Sequence, residues 1–365
     1  MVTRAEDMAR QSPALVARRA GRHAWRTALW ALLGAAIIAG LSLGPYPLTP
    51  GQVLAILLEP AGLALPWSFA AHEAAIVHSI RLPRVALAIA VGATLAVAGA
   101  VMQSLFRNPL AEPALVGVSS GAALGAVTLL VAGGAGLTAA SAGIAPYLLP
   151  LAAFAGGLAA TACLYALSRA VPGDPVPTML LIGVAINAIA GSGIGVAQYL
   201  SDDAQLRQVT FWMMGGLGAA RWEMLWLPLV LMLIAGLLLL RLAGPLNAYL
   251  LGNAEARHLG VDVRSLTRRA VVLVALAVGA AVAMSGIIGF VGLVIPHLVR
   301  LFTGPDNRLV LWGSALLGAS FLVIMDTISR LVVAPAELPI GLACSAIGGP
   351  FFLWLLLRRA RLAAR

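Results

Sequence analysis

The chemistry open to this chain is bounded first by a residue it lacks. All 24 basic side chains are arginine, and lysine is absent. A phosphate-cradling loop of the GxxxxGK[ST] kind needs its lysine to reach the terminal phosphates, so that route to ATP hydrolysis is closed. The sequence holds no HExxH, no GxSxG elbow and no paired carboxylates deep in an apolar run, which leaves an intramembrane enzyme little to work with. Gln103, Asn187, Gln198 and His297 are the notable polar side chains within apolar runs, and Asp326, Arg300 and Arg308 lie near run ends. Ion-coupled carriers keep titratable groups near the bilayer midplane, and such a relay is missing here. Transport would then draw on the substrate's own gradient or on a partner that consumes fuel. His297 follows Pro296 and could in principle ligate iron or take a proton. A histidine satisfying backbone groups freed at a proline bend is the competing reading. Cys163 and Cys344 stand far apart without metal-site or disulfide spacing and read as packing residues.

The elements that must position these residues follow from composition. Of 365 residues, 61% are hydrophobic and 10% charged, where a soluble protein would be about one quarter charged. The charge depletion reflects the cost of ionised groups in hydrocarbon. Apolar runs near 27–44, 84–105, 114–132, 147–168, 178–200, 223–241, 269–288, 290–302, 308–327 and 338–357 predict ten transmembrane helices. With the N-terminus in the cytoplasm, only Arg81, Arg84, Arg207, Arg221 and Arg330 fall on the far side. That asymmetry obeys the positive-inside rule with both termini cytoplasmic. The net charge of +10 is therefore a matter of topology, and nucleic acid is not an expected partner. Residues 1–26 form a basic N-terminal arm before a retained first span, 27–359 the membrane domain, and 360–365 a cytoplasmic tail. Gly286, Gly289 and Gly292 predict a tight or partly broken junction between the seventh and eighth runs. Gly117, Gly121 and Gly125, four apart, predict a close-packing seam on one helix face.

Several blocks carry a family resemblance: Arg81-Leu-Pro-Arg84, QSLFRNPLAEPALVGVSSG from Gln103, LGNAEARHLG from Leu251, GIIGFVGLVIPHLVR from Gly286, and AELPIG from Ala336. From about Arg81 to Arg359 the chain resembles the permease subunits of ATP-binding-cassette importers for ferric siderophores, haem and cobalamin. The resemblance implies an all-α polytopic membrane protein with the type II importer permease fold in the bacterial inner membrane. It implies a homodimer with two cytoplasmic ATPase subunits and a periplasmic binding protein. No cofactor would be held by this subunit, ATP and Mg²⁺ being used by the partner ATPase.

By the same resemblance, residues 244–269 are cytoplasmic coupling helices, with Gly252, Glu255, Ala256, Arg257, Leu259 and Gly260 as the ATPase contact. An ordinary solvated basic loop is the alternative. Arg81, Arg84 and Arg330 are expected to meet glutamates on the binding protein, although a local Asp326 to Arg330 helix pair competes for the last. Asn108, Pro109 and Leu110, with Gly173, Asp174 and Pro175, resemble cytoplasmic gate segments, and plain loops are the bland reading. The fifth run, with Asn187, Ser192 and Gln198, could line a wide passage or pack as a core helix. The outer stretch SDDAQLRQVTFWMMGGLG from Ser201 most resembles the haem-importing branch, although cobalamin permeases carry a similar run. Aromatic and methionine surface beside arginine suits a flat apolar dianion. Interfacial aromatics gather there in any membrane protein. An ATP-independent secondary transporter is the reading from a different class.

Overall fold

The computed structural model describes residues 13–63, 65–133, 144–171 and 175–363, and these are helical with short connections. The helices are α1 (Pro13–Ser42), α2 (Pro50–Leu58), α3 (Ala71–Ala75), α4 (Leu82–Leu105), α5 (Val118–Ala132), α6 (Ala145–Ala170), α7 (Pro175–Tyr199), α8 (Asp203–Met213), α9 (Trp222–Arg241), α10 (Ala243–Leu250), α11 (Asn253–His258), α12 (Val263–Ser285), α13 (Val291–Thr303), α14 (Asn307–Leu331) and α15 (Ile340–Ala363). Among the described residues, seven stretches are long and apolar enough to cross a bilayer. They lie in α1, in the continuous run Ala71–Leu105, and in α6, α7, α9, α12 and α14. Three shorter apolar helices lie at α5, α13 and Ile340–Trp354. Each apolar run of the sequence falls on one of these elements.

Helix α4 is the axis of the fold, buried along nearly its whole length and packed on α9, α12, α13 and α14. Its alanine- and glycine-rich faces allow this, because small side chains let helix backbones approach. At Gly99 a β-carbon would stand 1.9 Å from the Gly292 carbonyl oxygen, and at Gly92 it would stand 2.3 Å from that of Gly318. The expected seam exists between α5 and α6. A β-carbon on Gly121 or Gly125 would press within 2.5 Å of the Gly156 or 2.2 Å of the Ala152 carbonyl oxygen. Gly117 has another duty: at φ +79° it makes the left-handed turn into α5. The glycine-rich junction is a break, α12 ending at Ser285 and α13 starting at Val291.

Two short helices, α2 and α8, lie outside both the apolar runs and the expected coupling segment. α2 opens with Thr49 and Gln52, and α8 with Asp202 and Gln205, each pair a reciprocal capping box. The second apolar run extends outward to Ala71 through a π-helical turn at Ile76–Arg81. Cys344 is buried as expected of a packing residue, whereas Cys163, on α6, is exposed in the single chain. His297 is buried in α13, behind Pro296.

Candidate functional site

The outer arginines are not free cations. Arg81, Arg84 and Arg330 are 4%, 9% and 5% exposed. Arg84 donates from Nε to both Asp326 oxygens at 2.9 and 3.1 Å, and from Nη1 to both Glu337 oxygens at 2.8 and 2.9 Å. Arg330, one turn beyond Asp326 on α14, donates to the same carboxylate at 3.1 Å. Its guanidinium also donates to Leu43 O at 3.1 Å and Gly40 O at 3.0 Å. Arg81 donates to Leu41 O, to Ser42 O at 3.0 Å and to Tyr46 O. A helix ends with carbonyls that lack intrahelical partners and with partial negative charge. Two arginines from α14 and the π-helical turn satisfy that end of α1. Arg81, Arg84 and Arg330, the residues expected to meet a binding protein, are thus engaged within this chain. Asp326 pairs with Arg84 and Arg330 and Glu337 with Arg84, while carbonyls at the end of α1 hold Arg81 and Arg330. The local Asp326 to Arg330 pair is present as part of this larger network.

At the opposite end of α4 lies the first candidate gate segment, residues 108–110. Asn108 accepts the Leu110 N–H on Oδ1 at 3.0 Å, and its carbonyl accepts the Ala111 N–H at 3.1 Å, so the turn is self-braced. Pro109 and Leu110 border α13 and α15 at Leu293, Val294, His297 and Phe351. Of the second segment, Gly173 and Asp174 lie outside the described residues, and Pro175 begins α7. Above the Asn108 turn, Arg300 donates to Gln103 Oε1 and to Ala100 O, and Gln103 donates to Gly292 O and Leu293 O at 3.2 Å.

In the turn outside the apolar helices, burial raises the Glu112 carboxyl above the ordinary carboxylate pKa. A folded state that grips a proton longer than the unfolded chain loses stability as pH rises through that window. Glu112→Gln should raise the thermal midpoint in detergent at about pH 8, the gain vanishing below about pH 4, where both states are protonated. A gain that persists at acid pH would point to packing instead.

The segment after α9 folds into α10 and α11, two short helices joined at Gly252, whose φ of +129° suits glycine alone. Gly260, at φ +81°, turns the chain back towards α12. Glu255, Arg257 and Leu259 are exposed, Leu259 at 62%. Ala256 is fully buried and anchors α11 to the body. Sequence reading missed Asn247. It donates to Asp306 Oδ1 at 2.7 Å and accepts from the Asn307 N–H at 2.8 Å, fastening α10 to the start of α14.

On α7, Asn187 is committed to packing, accepting from Ser120 Oγ at 2.5 Å and donating to Ala114 O at 3.2 Å. Ser192 is exposed. Gln198 borders a cavity of about 420 Å³ together with Thr210, Met213, Met214, Ile287 and Ser345. The outer faces of α7 and α9 are covered with large apolar side chains such as Leu181, Ile189 and Leu227, fit for lipid or for another subunit.

A helical body built to sit in lipid, with one braced end and a pair of small helices extruded at the other, defines a multi-pass membrane transport permease. The chain belongs to the FecCD transport family, whose profile matches residues 32–358. It is 48% identical to the hemin transport system permease protein HmuU of Yersinia pestis over 290 residues, 77% of this chain and 83% of that one. It is 38% identical to the cobalamin import system permease protein BtuC of Halobacterium salinarum, covering 91% and 95% of the two chains. A solved structure described as an inward-facing conformation of a metal-chelate type ABC transporter superposes with a TM-score of 0.78 at 30% identity. That match covers 91% of this chain and 98% of the other. The fold is thus that of a type II ABC importer permease in the bacterial inner membrane, a transport subunit and not a catalytic enzyme.

Proposed function

We propose that this chain is the membrane subunit of an ATP-driven haem importer, working as a homodimer with two cytoplasmic ATPase subunits and a periplasmic haem-binding protein. The observation that carries haem over the alternatives is the 48% identity to the hemin permease over 290 residues, against 42% over 285 residues and 38% over longer spans to the cobalamin permeases. The cavity beside Met213, Met214 and Gln198 supports it, because thioether and amide surface suits a large flat apolar ligand. The exposed residues of α11 seat in the ATPase, and the basic arm and tail lie on the same cytoplasmic side. The outer arginines serve as a buttress beneath the docking surface, not as its contacts. ATP and Mg²⁺ belong to the partner; this subunit binds no cofactor.

The test is uptake into vesicles holding the permease and its ATPase, with binding protein outside and ATP inside. Haem uptake should fall to the passive leak when the ATPase, ATP or the binding protein is left out, and excess cobalamin or ferric siderophore should not compete. Faster uptake of cobalamin would move the assignment to that substrate. Uphill accumulation by the permease alone would sink the proposal.

A further inference from the structure

Two sequence motifs that lie more than a hundred residues apart are joined by one side chain. Arg107 directly precedes the gate turn Asn108-Pro109-Leu110. Its backbone stands at φ +48°, a left-handed conformation that a non-glycine residue adopts at a cost. Its guanidinium crosses to the cytoplasmic helices. Nη2 donates to Tyr249 O of α10 at 2.6 Å and to Asn253 Oδ1 of α11 at 2.8 Å. The guanidinium carbon stands 4.1 Å from the centre of the Tyr249 ring, a cation–π contact. A second link runs alongside, where Ser104 Oγ donates to Asn307 Oδ1 at 2.6 Å and Asn307 in turn is held by Asn247 of α10. Both links end on the last turn of α4 and the residue that starts the gate.

We infer that Arg107 is the positioning residue that couples α11 to the gate, so that displacement of α10 and α11 is delivered to Asn108, Pro109 and Leu110. This inference rests on the proposed function, since it needs an engine seated on α11. The geometry favours transmission over mere packing. The side chain spans from one element to the other at its two ends, and its backbone strain sits at the gate's first hinge. Asn253, the first residue of α11, follows Gly252, and Gly252 lets the helix pivot relative to α10. A push on α11 therefore moves the Asn253 oxygen and, through it, the guanidinium and the turn.

The experiment measures haem delivered per ATP hydrolysed in the complete vesicle system for Arg107→Ala, Arg107→Lys, Asn253→Ala and the Arg107→Ala/Asn253→Ala double variant. Arg107→Ala should leave ATP hydrolysis near the wild-type rate while haem per ATP drops by about tenfold, the size of an ordinary coupling free energy. Lysine keeps the charge over the Tyr249 ring but not the planar fork, so Arg107→Lys should recover part of the ratio. The double variant should be no worse than Arg107→Ala, because both act through one bond. An unchanged ratio, or uptake and hydrolysis falling in equal proportion, overturns the inference. If Arg107→Ala does not fold, Asn253→Ala alone decides by the same ratio. Wild-type protein without ATP-dependent uptake would instead overturn the functional proposal, and the strut would have no engine to serve.

Discussion

Asp326→Ala is expected to destabilise the protein by about 3–5 kcal/mol, the usual result of stripping one partner from a buried ion cluster. Asp326 is 1% exposed and receives Arg84 and Arg330, each almost as deeply placed. Without its carboxylate two guanidinium groups face each other at the outer ends of α4 and α14, and Arg330 is, with Arg81, a donor to α1. Asp326→Asn should recover only part of the loss, since it keeps hydrogen bonds but not charge. Glu337 offers the contrast. Its side chain is 46% exposed, so Glu337→Ala should cost less than about 1 kcal/mol. Unfolding midpoints of the purified variants in detergent check both. Equal midpoints for Asp326→Ala and Glu337→Ala would mean that the network does not hold this end together.

Gly99→Val should be comparably damaging for a steric reason. Even the first carbon of a side chain would lie 1.9 Å from the Gly292 carbonyl oxygen, so α4 and α13 must part. Overpacking of this kind costs about 1–3 kcal/mol for a small added group, and a branched one stands at the upper end or beyond. The same carbonyl accepts from Gln103, so separation also frees the amide beside Arg300. Gly99→Ala should fall between wild type and Val in thermal midpoint. A neutral alanine variant would show that the crossing can relax. Gly34, with open space around its missing side chain, is the control and should tolerate alanine.

The membrane body was legible in the sequence because hydrocarbon demands long uninterrupted apolar runs, and each of them became a helix. The seam of Gly121 and Gly125 was legible for the same reason, spacing alone putting both on one face. The surface helices α2 and α8 were not, being short and signalled only by capping residues such as Thr49 and Asp202. The outer arginines show the limit most clearly. Arg84 lies 242 and 253 positions from the carboxylates that claim it, and no local pattern announces that meeting. Arg81, Arg84 and Arg330 therefore looked available in the sequence, while the fold engages them internally. The candidate gate and coupling segments stand out separately in the sequence, but Arg107, one more cation on the cytoplasmic side, gives no sign there of reaching Tyr249 and Asn253.

The stitching of α1 to α4 and α14 has a kinematic consequence. With Arg330 and Arg81 gripping the last carbonyls of α1, that helix cannot slide along the membrane normal or swivel at its outer tip without breaking buried bonds. The three must travel as one rigid plank. Freedom at the outer ends is then left to the other flank, where α7, α8 and α15 meet around the cavity beside Gly289 and Gly341.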